Sequence, residues 1–343
     1  MRITYGTPLA PMTTLGIGGP ATALAELDDP ADFPEFVAFA QGRPGGPVCL
    51  GAGSNVLIGD AGCTAPVLRM ATRGIRVRDR DDDRRVLVEV QAGHPLGELV
   101  RTLIAENLTG MEMLAGIPGT TGATPVQNVG AYGQEISDTL VHAVAWDWKL
   151  RRRVVLDAAA CALGHRTSAL KHSRRWTLLS LLFALRRSPL SAPVTYRTVA
   201  AELDVPVGAR VPLAEAAQAV LAVRRGKGMV LDCADGDRRS AGSVFLSPEV
   251  SRARAARLRR DGAPVNDFPD GTTRVSASWL IHRAGYELGA PVAEGVRVSS
   301  RHHTLVADEG ANAARFHEAI SAVRRRVLCR TGVRLVSEID FIG

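Results

Sequence analysis

Two glycine-rich segments carry residues whose types and spacing could bind a phosphate-bearing ligand. The first is LGAGSN at 50–55, which follows a short apolar run. Its small residues let backbone N–H groups approach a phosphate closely, and Ser54 and Asn55 could add side-chain donors. The segment fails the dinucleotide fingerprint GxGxxG because Val56 occupies the last glycine position, and it has no Gly-Lys-Ser/Thr sequence. Alone, it is more typical of an ordinary strand-to-helix turn.

The second segment, at 110–133, holds six glycines and two prolines in GMEMLAGIPGTTGATPVQNVGAYG. It follows neither the helical nor the strand period, so we expect an ordered loop with a function. Gly116–Gly122 offers backbone donors to a pyrophosphate, and Gln127, Asn128 and Tyr132 offer side-chain donors to the polar edge of a planar ring. Together, the two segments suit flavin adenine dinucleotide (FAD), which contains both a pyrophosphate and a planar ring with a polar edge.

Short strands and helices must position these loops. Residues 13–67 predict a glycine-punctuated α/β unit with an apolar run at 21–27, a helix at 30–41 and a strand at 47–50. Residues 75–92 predict two strands joined by an acidic turn. The next segment predicts a helix that ends near Asn107, because these apolar residues fall on one helical face: Leu96, Leu99, Val100, Leu103 and Ile104.

The second half of the chain continues this alternation. Residues 141–148 and 151–157 predict a strand pair, and the apolar segment at 176–185 predicts a buried strand or a short helix. A helix is expected from Pro212 onward, and 332–343 is expected to form a terminal strand. The sequence shows no internal repeat.

Length and composition bound the class of protein. A chain of 343 residues with 46% apolar content suits two or three domains. Its five cysteines are scattered without a CxxC pair, so we expect reduced thiols, and no histidine, including His302 and His303, has metal-ligand spacing. We therefore expect no metal site, and we expect both histidines to be exposed or hydrogen-bonded. With no long apolar run, we expect a cytoplasmic protein without a membrane partner.

The formal net charge of +7 suits an anionic partner such as a nucleic acid, a membrane surface or a phosphorylated small molecule. Aromatic residues make up only 5%, and no basic run alternates with stacking side chains. These features argue against nucleic acid binding and favour a phosphorylated small molecule.

Six motifs in register resemble the UDP-N-acetylenolpyruvoylglucosamine reductase (MurB) family, type I-like, from about residue 13 to the C-terminus. They are TTLGIGG (13–19), LGAGSNVLIGD (50–60), AGIPGTTGATPVQNVGAYGQEISD (115–138), RRGKGMVLD (224–232), AGSVFLSP (241–248) and LVSEIDFIG (335–343). The resemblance implies an α+β fold: a vanillyl-alcohol-oxidase-type (PCMH-type) FAD-binding module of two α+β subdomains and a smaller C-terminal α+β substrate domain. The implied domains are residues 1–70, to which a C-terminal strand at 330–343 returns, residues 71–211, and a substrate-binding domain at 212–329.

The resemblance also implies the activity. FAD is bound without a covalent link and is reduced by NADPH, a co-substrate, and UDP-N-acetylglucosamine enolpyruvate is then reduced to UDP-N-acetylmuramate. The implied partner is this nucleotide-sugar substrate, and we expect a monomer. The residues implied to bind FAD are Gly51, Gly53, Ser54, Asn55, Gly116, Ile117, Pro118, Gly119, Thr120, Thr121, Gly122, Gln127, Asn128 and Tyr132.

Three catalytic residues follow from the same resemblance. Arg166 matches the family arginine that stabilises negative charge on the substrate carboxylate, as a guanidinium can through paired hydrogen bonds. Ser243 matches the proton donor to the carbanionic carbon, and Glu338 matches a carboxyl group beside the substrate. Tyr196 and Lys227 match substrate-contacting positions.

Two departures from the family pattern leave alternatives open. His165 stands where the family usually has tyrosine, and Ser247 stands where it has an asparagine that contacts the substrate phosphates. Because serine has a shorter reach, Ser247 is a candidate substrate-binding residue with an altered contact. The chain could therefore be a diverged paralogue that reduces another anionic enol ether or enone, or a non-catalytic basic binding protein that retains the fold.

Overall fold

Strands and helices alternate in short runs in the computed structural model, which describes residues 1–43, 46–79, 85–231, 236–268 and 270–343. The α-helices are α1 (Phe33–Gln41), α2 (Leu96–Ala105), α3 (Arg197–Glu202), α4 (Leu213–Gly226), α5 (Arg252–Arg260), α6 (Ala277–Arg283) and α7 (Ala313–Thr331). Short 3₁₀ helices lie at Ala10–Met12, Pro30–Asp32, Glu112–Leu114, Thr121–Gln127 and Ile136–Asp138.

The strands are β1 (Arg2–Pro8), β2 (Pro20–Leu27), β3 (Val48–Leu50), β4 (Val56–Ile58), β5 (Val67–Met70), β6 (Ile75–Asp79), β7 (Arg85–Gln91), β8 (Leu108–Thr109), β9 (Gly130–Ala131), β10 (Gln134–Glu135), β11 (Leu140–Asp147), β12 (Arg152–Asp157), β13 (Trp176–Arg187), β14 (Val265–Asp267), β15 (Thr273–Val275), β16 (Pro291–Ala293), β17 (Val296–Val298), β18 (Leu305–Ala307) and β19 (Asp340–Ile342).

These elements form two compact units, each with its own buried apolar core. Unit 1 comprises Met1–Thr7, Ala21–Gly53 and Cys63–Val230, and unit 2 comprises Pro8–Pro20, Ser54–Gly62 and Leu231–Gly343.

Unit 1 contains two larger sheets. The first has the order β1-β2-β5-β3, in which β2 and β3 each pair in parallel with β5. Helix α1 contributes Phe33, Phe36, Val37 and Ala40 to the core, and their spacing of three and four residues gives a single apolar face. The predicted helix at 30–41 is therefore confirmed.

The second sheet of unit 1 has the order β12-β11-β13-β7-β6 and is antiparallel. The segment at 176–185, predicted as a strand or a short helix, lies within the twelve-residue strand β13, which pairs with both β11 and β7. Valines 86, 88 and 90 of β7 are buried because alternate side chains point to one face of a strand. The predicted acidic turn between β6 and β7 lies at 80–84, outside the described residues.

Unit 2 packs α5, α6 and α7 with small sheets, which are β16-β17-β18, β14-β15 and the parallel pair β4-β19. Helix α7 buries one apolar face formed by Phe316, Ala319, Ile320, Val323 and Val327. Its last residue is followed by Gly332 at φ +64°, a left-handed conformation that glycine adopts readily at a helix end.

The terminal strand is shorter than predicted. The sequence predicts a strand over 332–343, but only Asp340–Ile342 is a strand, and residue 331 ends helix α7. Residues 335–339 instead make single backbone contacts, such as the bridge between Ser337 and Phe245. The predicted domain boundaries at 70, 211 and 329 stay predictions; α4 lies in unit 1 and β4 lies in unit 2.

Candidate active site

A buried carboxylate anchors the start of the long glycine-rich loop in unit 1. Glu112 Oε1 accepts hydrogen bonds from Thr109 Oγ1 at 3.0 Å and from the Ala192 amide at 2.7 Å, and Oε2 accepts from the Gly110 amide at 2.7 Å. Because a buried carboxylate needs such partners, these bonds fix the loop relative to its neighbours. The loop is ordered, as expected from the sequence.

The middle of this loop lies against the residues that follow β7. The Thr121 amide donates to the carbonyl of His94 at 2.8 Å, and the Gly122 amide donates to that of Ala92 at 2.7 Å. A Cβ atom added to Gly122 would lie 2.6 Å from Ala92 Cβ, closer than two such atoms can approach. Glycine is therefore required at 122 for this close contact.

The first glycine-rich segment meets the same loop. Gly51 follows β3, and a Cβ atom on Gly51 would lie 2.4 Å from Thr120 Oγ1. Gly53 (φ +60°), Gly116 (φ +74°) and Gly119 (φ +139°) adopt conformations that favour glycine. Unit 1 thus brings side-chain-free backbone from both segments together. This arrangement fits FAD, because a pyrophosphate is bound where backbone N–H groups can approach it.

Asn128 shapes the loop from inside. It is 2% exposed and has a left-handed φ of +45°. Its Nδ2 atom donates to Glu135 Oε2 at 2.7 Å and to Ser137 Oγ at 3.2 Å, while Oδ1 accepts from the Ser137 amide at 2.9 Å. Both hydrogens of the Asn128 side-chain amide thus bond to residues that directly follow the loop. Its role as a flavin donor stays a prediction, as does that of the half-buried Gln127.

Tyr132, Tyr196, Arg224 and Lys227 form a second group in unit 1. The rings of Tyr132 and Tyr196 stack edge-to-face with centroids 5.7 Å apart, and the Tyr132 hydroxyl is hydrogen-bonded to Arg224. Burial raises the pKa of Tyr132 and lowers the pKa of Arg224. Burial and the nearby Arg224 charge lower the pKa of Lys227. Two candidate substrate-binding residues and one candidate flavin-binding residue therefore lie around a single half-buried arginine.

Arg166 is held beside the end of the glycine-rich loop. Its Nη2 atom donates to the carbonyl of Gly130 at 2.8 Å, and its own carbonyl accepts from Lys171 Nζ at 3.3 Å. Ser168 Oγ, two residues on, donates to the carbonyl of Val126 at 2.6 Å. Arg166 has a φ of +53°, which is costly for a residue with a side chain and must be compensated by such contacts.

Unit 2 brings Ser243 and Glu338 onto adjacent segments. The Glu338 amide donates to the carbonyl of Val244 at 2.8 Å, so the residue after Ser243 is bonded directly to Glu338. Glu338 is 8% exposed, whereas Ser243 is exposed and the following Val244 is buried. Two of the three predicted catalytic residues therefore lie together.

Asn55 joins Glu338 in the same unit. Asn55 Nδ2 donates to the carbonyl of Glu338 at 3.2 Å, and the Asp340 amide donates to the carbonyl of Asn55 at 3.0 Å. Ser54 precedes it and is half-buried. These two predicted FAD-binding residues thus lie with the C-terminal segment of unit 2.

Ser243 and Ser247 also line one small polar cavity of about 60 Å³. His302 and His303 lie on its wall. The Nε2 atom of His303 is buried and has no hydrogen-bond partner within the described part of the chain. The expectation of exposed or hydrogen-bonded histidines stays a prediction. Burial and the neighbouring His282 lower the pKa of His303.

Comparisons with known proteins identify the family. A model described as FAD binding domain matches residues 21–148, and one described as UDP-N-acetylenolpyruvoylglucosamine reductase, C-terminal domain, matches 234–342. UDP-N-acetylenolpyruvoylglucosamine reductase of Salinispora arenicola is 44% identical over 96% of this chain and 93% of its own length. Its counterpart in Thermobifida fusca is 40% identical over 98% and 97%. This chain belongs to the UDP-N-acetylenolpyruvoylglucosamine reductase family.

A crystal structure from the same family supports the fold. UDP-N-acetylenolpyruvylglucosamine reductase from Thermus caldophilus superimposes with a TM-score of 0.66, at 22% identity, over 100% of this chain and 98% of its own. The predicted α+β fold with a PCMH-type FAD-binding module is confirmed. FAD as cofactor and FAD-dependent oxidoreductase as enzyme class are also confirmed.

Within this family framework, sequence reasoning missed Arg224, which bonds to Tyr132 and neighbours Gly116. The motif RRGKGMVLD contains it, but arginine is so abundant in this chain that the sequence does not distinguish Arg224 from the others. Glu112 and Thr304 were also missed, because their roles depend on partners distant in sequence.

The described residues contain neither a membrane-spanning helix nor a metal-binding cluster. None of their helices is both long enough and apolar enough to cross a membrane. The same residues contain no group of three or more histidine, cysteine, aspartate or glutamate side chains that could hold a metal ion.

Proposed function

We propose that this chain reduces UDP-N-acetylglucosamine enolpyruvate to UDP-N-acetylmuramate, a step of peptidoglycan precursor synthesis, with NADPH as the reductant of its FAD. The observation that carries the proposal is the bond from the Glu338 amide to the carbonyl of Val244, which brings Glu338 beside the turn that holds Ser243, within the segment matched by the reductase C-terminal family model. Identity of 38–44% to reductases along nearly the whole chain supports the same substrate.

The residues that would hold FAD are the glycines of the two segments, together with their neighbours. Gly51, Gly53, Gly116 and Gly119 would bring backbone close to a pyrophosphate, and Gly122, whose amide donates to the Ala92 carbonyl, would hold the loop in place. When bound, FAD supplies the hydride that adds to the CH2 carbon of the enolpyruvyl group. The reaction then requires a cation for the developing carboxylate charge and a proton for the neighbouring carbon.

Arg166 provides the cation. Its backbone is fixed by the Lys171 bond and one guanidinium nitrogen by Gly130. A preorganised guanidinium stabilises negative charge without reorganising when that charge develops. In this proposal Arg166 binds the substrate carboxylate.

Ser243 provides the proton. Ser243 is exposed on its turn, whereas the following Val244 is buried, so a ligand can reach the hydroxyl. A hydroxyl is a weak acid, but a carbanion-like carbon is a strong base, so transfer from a well-placed serine is feasible. The carboxyl group of the buried Glu338 is assigned to orient the substrate beside it.

The proposal is tested by an anaerobic half-reaction. NADPH should bleach the flavin absorbance near 450 nm, and the enolpyruvyl nucleotide should restore it. Ser243→Ala should keep the flavin spectrum and the rate of reduction by NADPH but slow product formation by roughly 100-fold or more. Ser251→Ala, which removes only the exposed hydroxyl that caps α5, is the control and should retain turnover.

Unchanged turnover in Ser243→Ala would exclude this serine as the proton donor. Reduction by NADPH without reoxidation by the enolpyruvyl nucleotide would favour the diverged paralogue, for which His165 and Ser247 are the motivating departures. Colourless protein that binds nucleic acid with a steep salt dependence would favour the non-catalytic alternative.

A further inference from the structure

Thr304 holds the backbone on both sides of Ser243. Thr304 Oγ1 donates to the carbonyl of Gly242 at 2.7 Å and accepts from the amide of Val244 at 3.1 Å. Thr304 is 3% exposed, so water does not compete for these bonds. One hydroxyl group therefore closes the turn at whose centre Ser243 lies.

Thr304 is itself rigidly placed. Its carbonyl accepts from the Ser299 amide at 2.9 Å, and its amide donates to the carbonyl of His302 at 2.8 Å. Ser299 Oγ in turn donates to Oδ2 of the buried Asp237 at 2.6 Å. The position of the Thr304 hydroxyl is thus fixed by a short turn and a buried carboxylate.

The turn around Ser243 needs such support. Gly242 has a φ of +73°, and no atom of the described residues lies within 4 Å of an added Cβ; apart from the Thr304 bond, its amide donates to Ser240 Oγ at 3.0 Å. The Glu338 amide holds only the Val244 carbonyl. Without the Thr304 hydroxyl, the carbonyl of Gly242 and the amide of Val244 lose the bonds that orient the peptide groups around Ser243.

We propose that Thr304 is a positioning residue for Ser243, setting the direction from which its hydroxyl delivers a proton. The inference rests on the proposed function, which makes Ser243 the proton donor. Small misplacement of a reacting group lowers a rate by up to about 100-fold. Thr304 should therefore affect the protonation step and leave the reduction by NADPH unaffected.

The test compares Thr304→Val, which keeps the shape but removes the hydroxyl, with Thr304→Ser, which keeps the hydroxyl. Thr304→Val should lower kcat for the enolpyruvyl nucleotide by roughly 10- to 100-fold, with little change in KM and a larger solvent deuterium isotope effect. Thr304→Ser should recover most of the rate. Without substrate, hydrogen exchange at the Val244 amide should be faster in Thr304→Val and normal in Thr304→Ser.

Thr331→Val is a matched control. Thr331 Oγ1 also donates to one carbonyl, that of Val327 at 2.8 Å, and accepts from one amide, that of Val333 at 3.2 Å, but at the end of α7. It should keep wild-type turnover. Equal rates in Thr304→Val and wild type, or equal losses in Thr304→Val and Thr331→Val, would overturn the inference.

If Thr304→Val does not fold, Thr304→Cys replaces it, because a thiol is a weak hydrogen-bonding group of similar size to the serine hydroxyl. Thr304→Cys should then be slow where Thr304→Ser is fast, and equal rates would contradict the inference. Failure of the wild-type protein to reduce the enolpyruvyl nucleotide would overturn the proposed function and this inference with it. Turnover by wild type with no effect at residue 304 would overturn this inference alone.

Discussion

Several candidate site residues adopt backbone conformations that side chains normally avoid. Asn128, Tyr132 and Arg166 have φ values of +45°, +50° and +53°. Each such residue costs of order 1–3 kcal/mol and persists only where its surroundings impose it. Hydrogen bonds impose it here: Asn128 donates to Glu135, Arg166 donates to the Gly130 carbonyl, and Tyr132 is bonded to Arg224. The backbone strain therefore lies at residues whose polar side chains must be held in fixed directions.

Arg166→Lys tests whether the guanidinium is needed. Lysine keeps the charge but cannot bond both the Gly130 carbonyl and a carboxylate in one plane. We expect kcat/KM for the enolpyruvyl nucleotide to fall roughly 100-fold, while flavin content and reduction by NADPH stay near normal. Steady-state kinetics and flavin absorbance measure this.

Arg151→Lys is the control for Arg166→Lys. Arg151 also has a positive φ, +52°, but is exposed in the turn between β11 and β12. Its rate should stay within about twofold of wild type, since exposed substitutions away from a site have small effects. Equal losses in the two variants would show that the effect is not specific to the Arg166 guanidinium.

At the scale of elements, the contact between the Thr121–Gln127 helix and the end of β7 fixes the conformation of the glycine-rich loop. Gly122→Ala would place a methyl group 2.6 Å from Ala92 Cβ and force the two backbones apart. We expect the purified variant to contain much less FAD, with a Kd for added FAD raised at least tenfold, an overpacking cost of about 1–3 kcal/mol. Absorbance and FAD titration give both values.

Gly97→Ala provides the comparison. Gly97 lies in α2, and nothing lies within 4 Å of its added Cβ. Alanine should stabilise this helix by about 0.5–1 kcal/mol without changing FAD content. Full FAD content in Gly122→Ala would show that the close contact is not needed for binding.

The sequence predicts elements better than their contacts, and particular segments show why. Helix α1 and strands β7 and β13 were predictable because their apolar spacing follows one period. The predicted terminal strand was too long. The alternation in LVSEIDFIG indicates a continuous strand, but residues 335–339 bond to another segment only at isolated points. The contacts of the buried Asn128 and of the half-buried Arg224 were not predictable, because the fold of the loop, and not the neighbouring sequence, determines their partners.

The second sheet of unit 1 contains a carboxylate that makes its stability sensitive to acid. Asp147, at the end of β11, accepts from Arg175 and from the amides of Lys149 and Leu150, and the Arg175 bond is the main cause that lowers its pKa to about 2. Because the folded pKa is depressed, its contribution is complete above about pH 4 and is lost as pH falls towards 2.

Asp147→Asn should therefore lower the free energy of unfolding by about 1–3 kcal/mol at pH 7. The difference from wild type should shrink as urea titrations are repeated at falling pH. Glu89→Gln, which removes a carboxylate that pairs with the exposed Arg78, should cost less than about 1 kcal/mol. A difference in the free energy of unfolding between Asp147→Asn and wild type that stays constant from pH 7 to pH 3 would contradict this linkage.

For the whole molecule, the net charge of +7 matters because both proposed ligands of the reaction, NADPH and the nucleotide sugar, are polyanions. A cationic protein attracts such ligands over a Debye length of about 10 Å at 0.1 M salt, and added salt shortens that range. We expect kcat/KM for the enolpyruvyl nucleotide to fall roughly three- to tenfold between about 50 and 500 mM KCl, with kcat nearly constant.

Sucrose of equal osmolality, which does not screen charge, should leave kcat/KM unchanged. A kcat that falls in parallel with kcat/KM would place the salt effect on the fold or the chemical step, and a flat profile would mean that the excess arginines do not act on ligand encounter.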